Sequence, residues 1–175
     1  MCIKTERFKL KQVFISYAWE SDEHVEWVKK LGDELEQYED IHVILDQYDL
    51  SPLTDKNKFM EDGVYKSDFV LVVGTKSYAR KADDREGGVG EETFLGAANH
   101  WGKMLKGGSS NIINLLREDN GTPNYLKGHF YLDFREDDKF DEKVIELLNV
   151  INGEYQKQRP TKRKGLSSTK KKAIS

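Results

Sequence analysis

Apolar residues along this chain fall into two rhythms that alternate from one end to the other. Short, mostly apolar runs recur at Val13-Phe14-Ile15, Ile41-His42-Val43-Ile44-Leu45, Phe69 to Val73, Asn111 to Leu116 and Phe130-Tyr131-Leu132. Runs rich in β-branched and aromatic residues suit strands covered on both faces, as in a parallel sheet. Between them the spacing lengthens to that of a helix. Val25, Trp27, Val28 and Leu31 mark a helix over roughly Asp22 to Tyr38, with Ser21 as its N-cap; Phe59, Met60 and Val64 mark one over Asn57 to Lys66, although Gly63 weakens it. Phe94, Leu95, Ala98, Trp101 and Leu105 mark a third over Glu91 to Lys106, stopped by Gly107-Gly108. Val144, Leu147, Leu148 and Ile151 mark a closing helix over Asp138 to Tyr155. Asp46 to Lys56 and Thr75 to Gly90 are polar and read as long loops. Strands alternating with helices define an α/β fold, a flavodoxin-like three-layer sandwich around a parallel sheet of about five strands, with Phe69 to Gly74 at its middle.

This order gives the first strand special weight. The run Val13-Phe14-Ile15 opens into Ser16-Tyr17-Ala18-Trp19 and then into an acidic helix start. Ligands of such folds sit at the carboxyl ends of the strands, so Ser16 to Ser21 belong to the functional rim by topology alone.

Charge adds a boundary. Residues 155–175 hold eight basic residues and no acidic one, which leaves 20 basic against 31 acidic residues in 1–154, a net of −11. The expected division is a folded body over 1–154 and a basic, disordered tail or linker over 155–175, leading on to a fused or separate sensor or effector. An acidic body is a poor nucleic-acid binder, because phosphate contacts need positive surface. No run approaches the ~20 apolar residues of a membrane helix, MCIKTERFK lacks a signal peptide's apolar core, and a lone Cys2 excludes an internal disulfide framework. The expected compartment is the cytoplasm.

Several chemistries are excluded directly. The first strand is not followed by a glycine-rich phosphate turn, no GKS, GKT or GxSxG occurs, and His24, His42, His100 and His129 show no metal-ligand spacing. Gly87-Gly88-Val89-Gly90-Glu91-Glu92 places three glycines beside two carboxylates at a helix start. Composition alone favours a dipole-complementing role for both glutamates, each worth ~0.3–1 kcal/mol.

Four ordered blocks change that balance: VFISYAW; VILDQYDLSP; FM-EDGVYKSDFVLVVGT with SYARKADDREGGVGEE; and NYLKGHFYLDFR. Together, over about Gln12 to Ile151, they resemble a bacterial TIR domain of the TIR/SEFIR-like subgroup. The resemblance implies cleavage of NAD+ at the nicotinamide–ribose bond, with NAD+ as substrate and no separate cofactor or metal. It places the catalytic glutamate at Glu92 and the variable position at Glu91. It maps the first-strand loop onto Phe14, Ser16, Tyr17 and Trp19. The loop that opens the pocket and joins subunits maps onto Asp46 to Lys56, followed by Phe59. Asp46 and Tyr48 join the substrate-binding set, and Trp19, Tyr17 and Tyr48 are the rim aromatics available to stack on nicotinamide or adenine. Where several NAD-cleaving TIR domains have a tryptophan four residues before the glutamate, this chain has Gly88. The expected function is a self-associating NAD+ hydrolase or cyclase of prokaryotic antiphage defence; the alternative is a non-catalytic signalling adaptor.

Overall fold

The computed structural model describes residues 9–84, 110–154 and 160–161. Among these residues five strands form one sheet: β1 (Lys11–Ser16), β2 (Ile41–Ile44), β3 (Phe69–Gly74), β4 (Ile112–Leu116) and β5 (Tyr131–Asp133). All pairings are parallel and the spatial order is β2-β1-β3-β4-β5. The expected parallel, flavodoxin-like sheet is therefore observed, with β3 at its centre. The order of connection reverses between β1 and β3, which makes the gap between their carboxyl ends the topological switch point.

Strand alternation explains the two cores. Val13, Ile15, Leu71, Val73 and Leu115 point to one face, where they meet Val28, Leu31 and Leu35 of α1 (Asp22–Glu36) and Val144, Leu147 and Ile151 of α5 (Phe140–Ile151). Phe14, Val70 and Val72 point the other way, to Val64 of α3 (Lys56–Lys66) and to Tyr78 and Ala82 of α4 (Lys76–Asp84). Full burial of each large apolar side chain contributes about 1.5–3 kcal/mol, so both layers are held chiefly by these residues.

The helix boundaries follow from local chemistry. Ser21 caps α1 by accepting from His24 N at 3.2 Å, and Asp55 caps α3 by accepting from Lys58 N at 3.1 Å. Gly63 does not break α3, because a Cβ there would meet the Phe14 ring at 2.5 Å; the missing side chain lets helix and strand approach. α5 ends four residues before the expected boundary, where Gly153 adopts φ +73° and Glu154 N returns to Asn149 O.

Two expectations need correction. Thr75 to Gly90 is not a loop throughout: Lys76 to Asp84 are helical, started by the Thr75 hydroxyl accepting from Tyr78 N at 3.1 Å. Its few apolar residues, Tyr78, Ala79 and Ala82, are small or amphipathic, and tertiary burial stabilises a helix that composition conceals. The segment Asp46 to Lys56 likewise begins with one helical turn, α2 (Asp46–Asp49), in which Asp49 reaches back to Leu45 N at 3.0 Å. The expected helix over Glu91 to Lys106 lies outside the described residues, as do Glu91 and Glu92. So does the tail, apart from residues 160–161.

Candidate functional site

At the carboxyl edge of the sheet, β1 and β2 deliver a fixed aromatic and carboxylate group. The Tyr17 hydroxyl donates to Asp46 Oδ1 at 2.9 Å, and the Trp19 indole Nε1 donates to Asp46 Oδ2 at 2.7 Å. Gln47 Nε2 bonds both the Tyr17 oxygen at 3.0 Å and Val25 O at 3.1 Å, which ties the group to α1. The two rings stack, with centroids 6.4 Å apart and planes 24° apart. Tyr17 is buried, whereas Trp19 is 62% exposed. Burial, reinforced by the Asp46 carboxylate, pushes the Tyr17 hydroxyl far above its ordinary range, so it remains a hydrogen-bond donor.

A second polar group bridges the switch point. Glu20, from the loop after β1, accepts a short hydrogen bond from the Thr75 hydroxyl at the end of β3. His24, on the first turn of α1, lies with Nε2 3.9 Å from the same carboxylate; that nitrogen is buried and has no hydrogen-bond partner. Burial lowers the imidazole's proton affinity, Glu20 and Glu118 pull it upward, and Arg117 acts with burial. Lys81 Nζ donates to the Trp19 carbonyl at 3.4 Å, joining α4 to the same rim.

The residues expected at the site therefore divide. Tyr17, Trp19 and Asp46 converge. Ser16 lies beneath them, its hydroxyl 2.9 Å from that of the buried Tyr78. Phe14 is a correction: at 1% exposure it is a core residue, because it shares the inward face with Val70 and Val72 and meets Phe59 edge to face at 5.9 Å. Phe59 belongs to that same packing. Tyr48 turns away from Trp19 toward α1, where its hydroxyl donates to Asp33 at 2.6 Å and its ring lies against Gly32. Glu92 lies outside the described residues. Glu20, His24 and Thr75 were not singled out as ligand residues by the sequence reading, although Glu20 fell within the rim segment Ser16 to Ser21. Among the described residues no group of three or more His, Cys, Asp or Glu side chains is placed to hold a metal ion. No helix among them is long and apolar enough to cross a membrane.

Sheet order, helical layers and a polar rim at the β1/β3 switch define a flavodoxin-like α/β domain built to present its carboxyl edge. Comparison with known proteins gives this class a family. The TIR-domain model TIR_2 matches residues 13–148, and the chain belongs to the TIR-domain family. A prokaryotic SEFIR domain of solved structure is 32% identical, with TM-score 0.65 over 81% of this chain and 98% of that one. The TIR domain of the Toll-related receptor TRR-2 from the lower metazoan Hydra magnipapillata shares the fold at 20% identity and TM-score 0.57, over 80% of this chain and 97% of that one. The TIR domains of the activated Roq1 resistosome, which directly recognizes the pathogen effector XopQ, do so at 17% identity and TM-score 0.57, over 81% and 99%. The comparison with curated proteins gave no match.

Proposed function

We propose that this TIR domain cleaves NAD+ at the nicotinamide–ribose bond, releasing nicotinamide and linear or cyclic ADP-ribose. The observation that supports this reading is the Trp19 platform: an exposed indole fixed by Asp46 and backed by Tyr17, beside the switch point where α/β folds bind nucleotides. An aromatic face held in one orientation suits a planar base or nicotinamide ring.

The reaction asks little of the protein. Nicotinamide departs as a neutral molecule, so no general acid is needed, and positive charge develops on the ribosyl centre. One carboxylate, assigned here to Glu92, stabilises that charge electrostatically, and the ribosyl carbon is then taken by water, which gives up a proton to solvent, or, for the cyclic product, by an adenine nitrogen of the same molecule. Activity is proposed to require association of TIR domains through the 46–56 loop, whose Leu53 is 97% exposed rather than folded onto the body. The biological setting that fits is antiphage defence in the prokaryotic cytoplasm.

A second reading, a non-catalytic adaptor, is favoured by the 32% identity to a SEFIR domain. The two part at Glu92. Glu92→Gln keeps size and removes charge; it should abolish nicotinamide release, while Glu91→Gln retains it. Equal release by the unmodified domain and Glu92→Gln, with loss in Glu91→Gln, would refute the assignment.

A further inference from the structure

We propose that Leu53 of one copy of this domain seats in the cavity beside Leu53 of another, closing a two-fold dimer over the face formed by α3 and the edge strand β2. The inference rests on the association reading above and names the surface that receives the 46–56 loop.

Leu53 is a rigid knob. A single exposed leucine is ordinary on a protein surface, but this one, 97% exposed, stands on a turn tied at both ends. Thr54 N donates to Ser51 O at 2.9 Å, Ser51 N to the Thr54 hydroxyl at 3.0 Å and Leu53 N to the Ser51 hydroxyl at 3.3 Å, while the two hydroxyls lie 3.0 Å apart. A fixed backbone presents the side chain outward, so little loop entropy is lost when it docks.

The hole lies next to the knob. Thr54 and Asp55, the two residues after Leu53, line a cavity of about 290 Å³ between α3 and β2, whose floor is the buried Gly63 and the half-buried Ile44 and Phe59. An apolar cavity of ~150 Å³ takes up benzene, so a leucine side chain fits here. Leu53 does not fill the cavity of its own chain, since its turn holds it in solvent. A knob and a hole on opposite faces build an open chain of subunits. On one face, a two-fold rotation puts each knob into the other's hole and closes the assembly.

Charge selects this face. Residues 1–154 carry a net −11, so copies of the body repel one another. The charged residues lining the cavity are Asp55, Lys58, Asp62 and Lys66, two of each sign, and two such faces meet without net repulsion. Lys66 pairs with Asp62 at 2.7 Å, and Asp55 Oδ1 accepts from Lys58 N at 3.1 Å. The Lys58 ammonium, which makes no ion pair among the described residues, is left for Asp55 of the facing copy. A second cavity at the β2 edge, about 460 Å³ beside Asp33, Glu36 and Asp49, offers no Lys or Arg, and two copies of that face repel.

The test is sedimentation velocity of the full chain over a dilution series, without NAD+. Expected is a rise from one chain to a plateau at two. Leu53→Asp should raise the dimer dissociation constant at least about a hundredfold, because the symmetric contact loses two buried leucines at roughly tenfold or more each. Cross-linking fixes the place. In a Cys2→Ser background, a short bismaleimide should join Leu53→Cys to Lys58→Cys; it should not join Leu53→Cys to Phe130→Cys, an equally exposed residue beside the opposite edge strand. A plateau beyond two chains, cross-linking at Phe130 or at neither position, or a dissociation constant moved less than about threefold by Leu53→Asp overturns the closed dimer and leaves association itself standing. A single chain at every concentration overturns the association reading as well. NAD+ cleavage is tested apart from both, by nicotinamide release.

Discussion

Asp46 is the residue on which the platform depends, and removing it has a cost that can be worked from its bonds. In Asp46→Ala the buried Tyr17 hydroxyl loses its acceptor, retaining only the bond it accepts from Gln47. An unpaired buried donor costs about 1–3 kcal/mol. The Trp19 N–H is exposed and turns to water at little cost, and the Gln47 amide loses a local bond at 2.8 Å. The expected sum is about 2–3 kcal/mol, or roughly 4–12 °C in melting temperature for a chain of this size. Tyr17→Phe alone should cost about 1–1.5 kcal/mol, because Asp46 keeps Trp19 and Gln47 Nε2 keeps Val25 O. The two changes remove one shared bond, so the double variant should cost less than their sum, with a coupling of about 1–2 kcal/mol. Urea denaturation of the four proteins measures it. Additivity within about 0.5 kcal/mol would show that Tyr17 and Asp46 do not act together, and the fixed platform would fall. Asp46→Ala should also raise the KM for NAD+, since an unanchored Trp19 must be ordered on binding.

Other consequences follow from single features. Gly63→Ala would gain about 1 kcal/mol in an exposed helix; here the Cβ meets three Phe14 ring atoms at 2.5–2.8 Å, so a net loss on the order of 1 kcal/mol is expected by chemical denaturation. Because burial holds the His24 imidazole below its ordinary value of 6.5, its contribution to stability is complete above that pH. It is lost as the pH falls from 6.5 toward the depressed folded-state value, where the unfolded chain binds the proton first. His24→Gln should therefore flatten the slope of melting temperature against pH below 6.5, and an unchanged slope would show that His24 does not set it. Leu53→Asp should leave melting unchanged, since Leu53 touches little, yet lower specific activity most in dilute protein; equal activity at every dilution would remove the loop from association.

Much of the architecture was legible because buried parallel strands write themselves as short, mostly apolar runs. Every described strand fell within one or two residues of its run. α4 was hidden, since Tyr78 and two alanines among Lys, Arg and Asp carry little apolar signal, and the helix depends on the Thr75 cap and on Tyr78 entering the core. Phe14 illustrates a different limit. The resemblance to TIR domains mapped the first-strand loop onto it, but strand alternation turns its ring inward to Gly63 and Phe59. Tyr48 sits two residues beyond Asp46, and the helical turn that starts there swings it to Asp33. Glu20 and Thr75 lie 55 positions apart, joined only by the crossover that places β3 beside β1; no local pattern could pair them.

The most direct test of the account is to incubate the domain with NAD+ at high protein concentration and resolve the products chromatographically, beside Glu92→Gln. The account predicts nicotinamide in equimolar yield with linear or cyclic ADP-ribose from the unmodified domain and none above background from the variant. Intact NAD+ at the highest protein concentration, or the same nicotinamide yield from both proteins, would contradict it.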